Sequence, residues 1–194
     1  MNQDQILEIF KQSGALLSGH FRLTSGRHSD VYYEKFTLLK NPAICTKICE
    51  EMAARFKSSG AVTVIGPTLG GVIIGYEVAR YLGVQAVYAE AGENEGRVLK
   101  RGFSLEPGEP VLIVDDILTT GRSLKEVIDL VSSYEAKIVG IGLLLDRSGG
   151  KIDIGMKYDA LATVSVESWS PDDCPMCAKN QPITQRGSRE LKQK

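Results

Sequence analysis

Short unbroken runs of apolar residues alternate along this chain with longer segments in which apolar residues recur at helical spacing. AVTVIGP (61–67) is short and rich in β-branched residues, which is typical of a buried strand. GGVIIGYEVARYLG (70–83) predicts a helix that ends at Gly83. The same two patterns then predict strands at 84–90, 111–116, 137–146 and 160–168, and an amphipathic helix at 123–136.

This alternation predicts an α/β fold. Strands that are apolar at almost every position, with helices between them, indicate a parallel twisted sheet flanked by helices on both faces. Ligands of such sheets bind beyond the carboxyl ends of the strands. Four strands here end in sequences suited to binding: the loop Gly66–Gly71, Glu90, the pair Asp115 and Asp116, and the pair Asp146 and Arg147.

The first forty residues follow a different pattern. Residues 3–12 predict a helix that stops near Gly14, and residues 15–39 predict short strands in a loop-rich flap. Asn41-Pro42 then opens a helix that extends to about residue 58. We therefore expect a single domain (1–194), made of a hood region (1–40), an α/β core (41–168) and a C-terminal tail (169–194), with the basic end 186–194 mobile in part.

The composition supports a packed core and gives no electrostatic reason to expect nucleic acid or membrane as a partner. Of the 194 residues, 43% are apolar and 24% charged, and the net charge is -1. No apolar run is long enough to span a bilayer, and the N-terminus lacks the basic-then-apolar layout of a signal peptide. We expect a cytoplasmic protein.

Four cysteines, Cys45, Cys49, Cys174 and Cys177, leave three readings open. A disulfide framework is not expected in a chain of this length without a secretory signal. Buried or incidental thiols are the favoured interpretation. The alternatives are a zinc site shared by all four cysteines, since structural zinc takes four ligands, and a redox pair formed by the CxxC motif.

TTGRS (119–123) lies between a predicted strand and a predicted helix. The N–H groups and positive dipole of the helix N-terminus, the flexibility of Gly121 and three hydroxyls together indicate a phosphate-binding turn. It is not a Walker loop, because no Gly-Lys-Ser/Thr is present. The alternative is an ordinary Ser/Thr cap for the helix.

Asp115 and Asp116 immediately precede this turn. Adjacent carboxylates at a strand end can accept hydrogen bonds from vicinal hydroxyls or hold Mg²⁺. A sugar phosphate such as ribose 5-phosphate would use both the acids and the turn. A receiver-type aspartate pocket fits poorly, because its paired acids belong on the first strand of the domain.

Three segments carry a resemblance to a known family. VLIVDDILTTGRS (111–123) resembles the phosphoribosyl-pyrophosphate signature of type I phosphoribosyltransferases. GHFRLTSGRHSDVYYEK (19–35) is similar to the N-terminal segment of orotate phosphoribosyltransferases, and LLLDRS (143–148) is similar to their strand ending in Asp-Arg. The resemblance covers roughly 15–150.

This resemblance implies the type I phosphoribosyltransferase fold with a small N-terminal hood. It implies a Mg²⁺-dependent glycosyltransferase that moves ribose 5-phosphate from phosphoribosyl pyrophosphate to orotate, giving orotidine 5′-phosphate and pyrophosphate in pyrimidine (UMP) biosynthesis. It also implies a homodimer with shared active sites.

The resemblance also implies residue roles. Asp115 and Asp116 hold the ribose hydroxyls and, mostly through ligand and water, Mg²⁺, and Lys100 and Arg101 act catalytically on the pyrophosphate charge. The implied substrate-binding residues are Thr119, Thr120, Gly121, Arg122 and Ser123 for the 5-phosphate, Gly66, Pro67, Thr68, Leu69, Gly70 and Gly71 for pyrophosphate, Arg97 on the following loop, and Phe21, Thr24, Ser25, Gly26, Tyr32 and Arg147 around orotate. For Phe21 and Tyr32 the alternative is packing within the flap, and for Arg147 it is a surface ion pair.

The chain departs from the family pattern in two places. Leu69 and Gly70 stand where many members carry a lysine, and the loop 89–109 has no histidine. Two other functions therefore stay open: a phosphoribosyltransferase for another nucleobase, and a non-enzymatic regulator that senses the donor. A neutral base has no carboxylate for Arg147, and the net charge speaks against a nucleic-acid-binding regulator.

Overall fold

The computed structural model of the protein describes residues 1–93 and 96–186. Its helices are α1 (Gln3–Gln12), α2 (Lys35–Leu39), α3 (Pro42–Arg55), α4 (Gly70–Leu82), α5 (Arg122–Ser133) and α6 (Pro175–Ala178). Its strands are β1 (Leu16–Arg22), β2 (His28–Tyr33), β3 (Thr63–Pro67), β4 (Gln85–Ala91), β5 (Arg97–Val98), β6 (Pro110–Leu118), β7 (Lys137–Asp146), β8 (Asp159–Thr163) and β9 (Thr184–Gln185).

A six-stranded sheet in the order β5-β4-β3-β6-β7-β8 forms the centre of the protein. The strands β4, β3, β6, β7 and β8 run parallel, and β5 joins the edge antiparallel to β4. α1, α3 and α4 cover one face of this sheet, and α5 covers the other. Neighbouring residues such as Leu112 and Ile113 point to opposite faces, so both are fully buried but in different apolar clusters. Burial on both faces explains the unbroken apolar runs, and the predicted α/β class is confirmed.

A second, three-stranded sheet in the order β2-β1-β9 forms the hood. β1 and β2 pair as an antiparallel hairpin. Its turn is closed by hydrogen bonds from the Leu23 amide to the Arg27 carbonyl and from the Gly26 amide to the Leu23 carbonyl, with Gly26 in the left-handed region at φ 81°. β9 comes from the C-terminal tail and pairs parallel to β1, which the sequence pattern did not predict. The expected mobility of 187–194 concerns residues outside the described ranges.

Several predicted boundaries were wrong, and residues 35–39, which were predicted as part of the flap, form α2. The helix that starts at Pro42 ends at Arg55, because Phe56 turns inward against Gly140 and Gly142 of β7. The strand predicted for 160–168 leaves the sheet after Thr163, since the following residues turn toward the hood, where Trp169 bridges to His28.

Among the described residues, no helix combines the length and apolar character that a membrane crossing requires.

Candidate active site

A cavity of about 840 Å³ opens at the carboxyl ends of β6 and β7, beneath the turn of the hood hairpin. Its size is ordinary for a small-molecule site. Five basic side chains line it against three acidic ones, which favours an anionic ligand. The sequence-predicted residues on its wall are Thr24, Ser25, Tyr32, Arg97, Asp115, Thr119, Thr120, Gly121, Arg122, Ser123 and Arg147.

The TTGRS turn forms one end of this cavity. Gly121, at φ 77°, is the N-cap residue of α5, and no side chain among residues 1–93 and 96–186 caps the helix. The alternative of an ordinary Ser/Thr cap is therefore wrong, and within the described part of the chain the first N–H groups of α5 have no capping side chain. A Cβ at Gly121 would lie 3.0 Å from methyl groups of Ile152 and Ile154, so the turn is also packed closely from behind.

Asp115 faces the cavity from the end of β6, while Asp116 points the other way. Both side chains are largely buried. Burial and the neighbouring Asp116 carboxylate raise the pKa of Asp115 to about 8. Without a ligand Asp115 is therefore mostly protonated near neutral pH, and a cation or a set of hydroxyl donors would favour its charged form.

Lys35, at the start of α2, is a site residue that the sequence analysis missed. Its Nζ lies 2.6 Å from Asp116 Oδ2, and the side chain also lines the cavity. It ends the hood segment 19–35, but a single lysine after a strand carries no signal that it will meet an acid of β6. Its ammonium offsets the charge that Asp116 brings to the site.

The Gly66–Gly71 loop packs against Asp116 rather than lining the main cavity. A Cβ at Gly70 would lie 1.9 Å from Asp116 Oδ2, and one at Gly66 would lie 2.1 Å from the Gly71 carbonyl oxygen. Only glycine permits this approach. Thr68 and Leu69 face a second cavity of about 540 Å³, shared with Arg101 and with Phe36, which lines both cavities.

Arg97 joins the two loops. Its guanidinium donates to Thr68 Oγ1 at 3.1 Å and to Ser123 Oγ at 3.0 Å. Glu126 lies 3.3 Å from Arg97 Nε and also holds Arg122 at 2.8 Å. Two arginines are thus held beside the phosphate-binding turn by one carboxylate, which fixes their positions before a ligand arrives.

Arg147 projects into the cavity from the end of β7. Its Nε is buried and has no hydrogen-bond partner among residues 1–93 and 96–186, and its guanidinium lies 5.9 Å from the centre of the Tyr33 ring. Burial lowers the pKa of Arg147. Asp146 holds the loop that follows by accepting hydrogen bonds from the Ser148 and Gly150 amides. The described contacts of Arg147 include no surface ion pair, so that alternative is wrong. The position of the Arg147 guanidinium in the cavity suits a planar anion.

The remaining predicted residues lie outside the main cavity wall. Phe21 is buried behind Tyr32, with ring centres 5.8 Å apart, so it packs within the hood. Gly26 lies at the tip of the hairpin turn. Lys100 is exposed, and Arg101 pairs with Glu90 at 3.0 Å. The structure also brings Gln185 and Arg186 of the tail to the cavity, and nothing in their sequence indicated this.

The cysteines separate into two pairs. Cys45 and Cys49, with sulfur atoms 3.9 Å apart, are buried in the apolar core between α3 and the sheet. Cys174 and Cys177 instead meet His20 and His28 of the hood. The alternative of a zinc site shared by all four cysteines is therefore wrong.

We expect Asp115→Asn to stabilise the fold more at about pH 8 than at about pH 5. With a pKa of about 8 against an ordinary value of 3.8, Asp115 keeps a proton in the folded protein that the unfolded chain loses. Stability therefore falls as pH rises between these two values, by at most about 1.4 kcal/mol per pH unit, and asparagine removes this loss. Thermal melts of both proteins at the two pH values measure it, and an equal difference at both would contradict the assignment.

Comparison with known proteins places the chain in a family. A profile of the phosphoribosyl transferase domain family matches residues 37–174. The chain is 49% identical over 191 residues to a protein of Desulforamulus reducens named orotate phosphoribosyltransferase, which covers 98% of this chain and 100% of the relative. A protein of Pelotomaculum thermopropionicum with the same name is 48% identical over the same coverage.

Solved structures share the fold. The orotate phosphoribosyltransferase of Aeropyrum pernix superposes with a TM-score of 0.69 at 25% identity, covering 81% of this chain and 93% of that one. The adenine phosphoribosyltransferase of Rhodothermus marinus reaches 0.64 at 20% identity, covering 83% and 99%. Because both match, the fold alone does not separate one nucleobase from another.

Proposed function

The chain belongs to the phosphoribosyl transferase domain family, and from that membership we propose that it is an orotate phosphoribosyltransferase. It transfers ribose 5-phosphate from phosphoribosyl pyrophosphate to orotate, giving orotidine 5′-phosphate and pyrophosphate, a step of pyrimidine (UMP) biosynthesis. The single observation that carries this proposal is the convergence of Asp115, the TTGRS turn and Arg147 on one cavity.

The order of the protein groups along the site matches the order of the 5-phosphate, the ribose and the pyrophosphate along the donor. The N-terminus of α5 receives the 5-phosphate, and Asp115 accepts hydrogen bonds from the ribose hydroxyls a short distance away. The Gly66–Gly71 loop, close to Asp116 and Lys35, receives the pyrophosphate. Lys35 thus brings a positive charge beside Gly70, where many family members carry a lysine in the loop itself.

Orotate occupies the part of the cavity between Arg147 and the hood. Arg147 lines the cavity, and its guanidinium, whose buried Nε has no partner among the described residues, offers a charge-assisted donor to the orotate carboxylate. Thr24 and Ser25 face the same space from the hairpin turn and supply contacts to the ring edge. A purine or uracil would leave Arg147 buried without an anion, which is why we favour orotate over a neutral base.

The residues also fit a bound Mg²⁺. Asp115 and Asp116 are adjacent carboxylates at the site, and a cation would favour the charged form of Asp115, whose pKa is raised by burial and by Asp116. Mg²⁺ held mostly through the donor and water would supply charge neutralisation on the pyrophosphate. The protein groups orient the donor so that the C1–pyrophosphate bond lengthens as orotate nitrogen approaches from the opposite face.

Lys100 and Arg101 act from the loop that follows β5. We propose that this loop closes over the donor and brings both cations to the leaving pyrophosphate, across a dimer interface as the family resemblance implies. Leu69, Ile73 and Tyr76 support such an interface, because these apolar side chains are exposed near the same end of α4. Analytical ultracentrifugation tests it, and a mass of one chain at assay concentration would contradict shared sites.

Replacing Lys100 by alanine is expected to lower kcat by about 10-fold and to change KM for the donor much less. The reason is that the loop charge is used when the pyrophosphate leaves, more than when the donor binds. Steady-state kinetics with varied donor measures the split. Lys11→Ala, an exposed lysine of α1, is the matched control. An effect confined to KM would contradict the lid role.

We also propose that residues 1–194 form one domain and that the protein is cytoplasmic. Ile6 and Phe10 of α1 share a buried apolar cluster with Leu144 and Leu161 of the central sheet, so the N-terminal region and the α/β core have a common interior. Calorimetry should show one unfolding transition, and two separate transitions would contradict a single domain. Cell fractionation tests the location.

The ultraviolet absorbance of orotate provides the test of function. The purified protein, incubated with orotate, phosphoribosyl pyrophosphate and Mg²⁺, should remove the orotate signal and release pyrophosphate in equal amounts. Parallel reactions with uracil, adenine and hypoxanthine serve as controls. Turnover of one of these bases without turnover of orotate would overturn the substrate, and no turnover of any base would favour the donor-sensing alternative.

A further inference from the structure

Two histidines and two cysteines meet at a point between the hood and the tail, outside the candidate active site. His20 lies on β1 and His28 opens β2, while Cys174 immediately precedes α6 and Cys177 lies within it. One ligand atom from each residue lies within 4.8 Å of all the others. His20, His28 and Cys174 are buried and Cys177 is half-buried. Neither the proposed reaction nor the family comparison uses this cluster.

The spacing of these atoms suits a tetrahedral metal centre. Zinc–nitrogen and zinc–sulfur bonds of about 2.0 and 2.3 Å place neighbouring ligand atoms about 3.3 to 3.8 Å apart. Here His20 Nε2 lies 3.5 Å from Cys174 Sγ and 3.7 Å from Cys177 Sγ. His28 Nδ1 lies 3.2 Å from Cys177 Sγ and 3.0 Å from His20 Nε2. These four separations lie close to the edges of a tetrahedral site, and the remaining two are at most 4.8 Å.

Hydrogen bonding alone satisfies the cluster poorly. The other ring nitrogen of His20, Nδ1, lies 2.9 Å from the Gln181 carbonyl oxygen and must donate to it. His20 Nε2 then has one lone pair, yet His28 Nδ1 and both thiols approach it. If His28 Nδ1 instead accepts a hydrogen bond from the Cys177 thiol, the lone pairs of His28 Nδ1 and His20 Nε2 face each other. A cation bound to all four atoms removes the conflict.

The surroundings are those of a metal ligand set. A histidine ligand normally donates its second N–H to a carbonyl or carboxylate, which fixes the ring. In the cluster, the Gln181 carbonyl accepts this hydrogen bond from His20. Cys174-Pro175-Met176-Cys177 has the CxxC spacing of structural zinc sites. Two thiolates balance the double charge of the ion, so the buried centre is neutral.

We propose that His20, His28, Cys174 and Cys177 bind one zinc ion, which fastens the C-terminal tail to the hood. Zinc is favoured over harder cations because the set is two sulfur and two imidazole ligands in a closed tetrahedron. The site holds the tail where β9 pairs with β1 and where Gln185 and Arg186 reach the active-site cavity. This inference does not depend on the identity of the nucleobase.

The test is the metal content of the full chain, purified with thiols reduced and without chelator, measured by inductively coupled plasma mass spectrometry. We expect about one zinc per chain in the native protein and less than about a fifth of this in Cys177→Ser and Cys174→Ser. Cys45→Ala is the matched control, since this buried thiol lies outside the cluster, and its zinc content should equal that of the native protein. Equal zinc in all four proteins would overturn the site.

Two further measurements on the native chain avoid variants that fail to fold. Cobalt(II) added to the zinc-stripped protein should give the absorption of a tetrahedral site with thiolate-to-metal charge transfer, and zinc should remove it. A chelator should lower the melting temperature of the native protein and leave that of Cys177→Ser unchanged. Negligible zinc with no cobalt spectrum, a Cys174–Cys177 disulfide, or iron in place of zinc would each overturn the proposal.

Discussion

Asp116→Asn is expected to lower kcat/KM by about 100-fold or more, with little change in the fold. Asn has the shape of Asp but lacks the charge that holds Lys35 at 2.6 Å, and Oδ2 lies against Gly70 in the loop that receives the pyrophosphate. Without that charge Lys35 loses its ionic partner, and the acid pair loses one of its four acceptor oxygens. The loss should fall mainly on handling of the donor.

Steady-state kinetics with each substrate varied in turn measures this effect. Asp129→Asn is the matched control, because Asp129 is an exposed carboxylate on α5 away from the acid pair. The melting temperature of both variants should stay close to that of the native protein. Unchanged kcat/KM in Asp116→Asn would remove the role given to this carboxylate, and an equal loss in the control would point to a nonspecific charge effect.

Arg147→Ala is expected to raise KM for orotate by about 100-fold and to leave KM for phosphoribosyl pyrophosphate nearly unchanged. The Nε of Arg147 is buried and has no partner within the described part of the chain, so the desolvation cost of this side chain is already present before a carboxylate binds. Alanine leaves the orotate carboxylate in the cavity without its charge-assisted donor.

Two further variants sharpen this result. Arg147→Lys keeps the charge but loses the planar donor geometry, so it should restore only part of the affinity. Arg80→Ala removes an arginine on α4 that pairs with Glu77 outside the cavity, and it should behave as the native protein. An equal rise of KM for both substrates in Arg147→Ala would mean that the residue supports the donor site or the fold instead.

Parts of this site could be predicted because they are local in sequence. The TTGRS turn and the preceding acids follow one another along a strand, a turn and a helix, so their proximity is fixed by the backbone alone.

The assignment of Phe21 to the orotate site could not be decided from the sequence, for the opposite reason. Alternation along β1 indicates that a side chain faces one side of a hairpin, but not whether that side is a cavity or, as here, the ring of Tyr32.

The sequence by itself determined the parallel sheet and its binding edge, because unbroken apolar strands require helices on both faces and place their carboxyl ends together. Only the tertiary structure decided which distant side chains meet. Lys35 reaches Asp116 through the placement of the hood, and His20 meets Cys174 across 154 residues of chain. The periodicity of apolar residues indicates which face of a helix or strand is buried. Which residue contacts another that is distant in sequence depends on how whole helices and strands pack together.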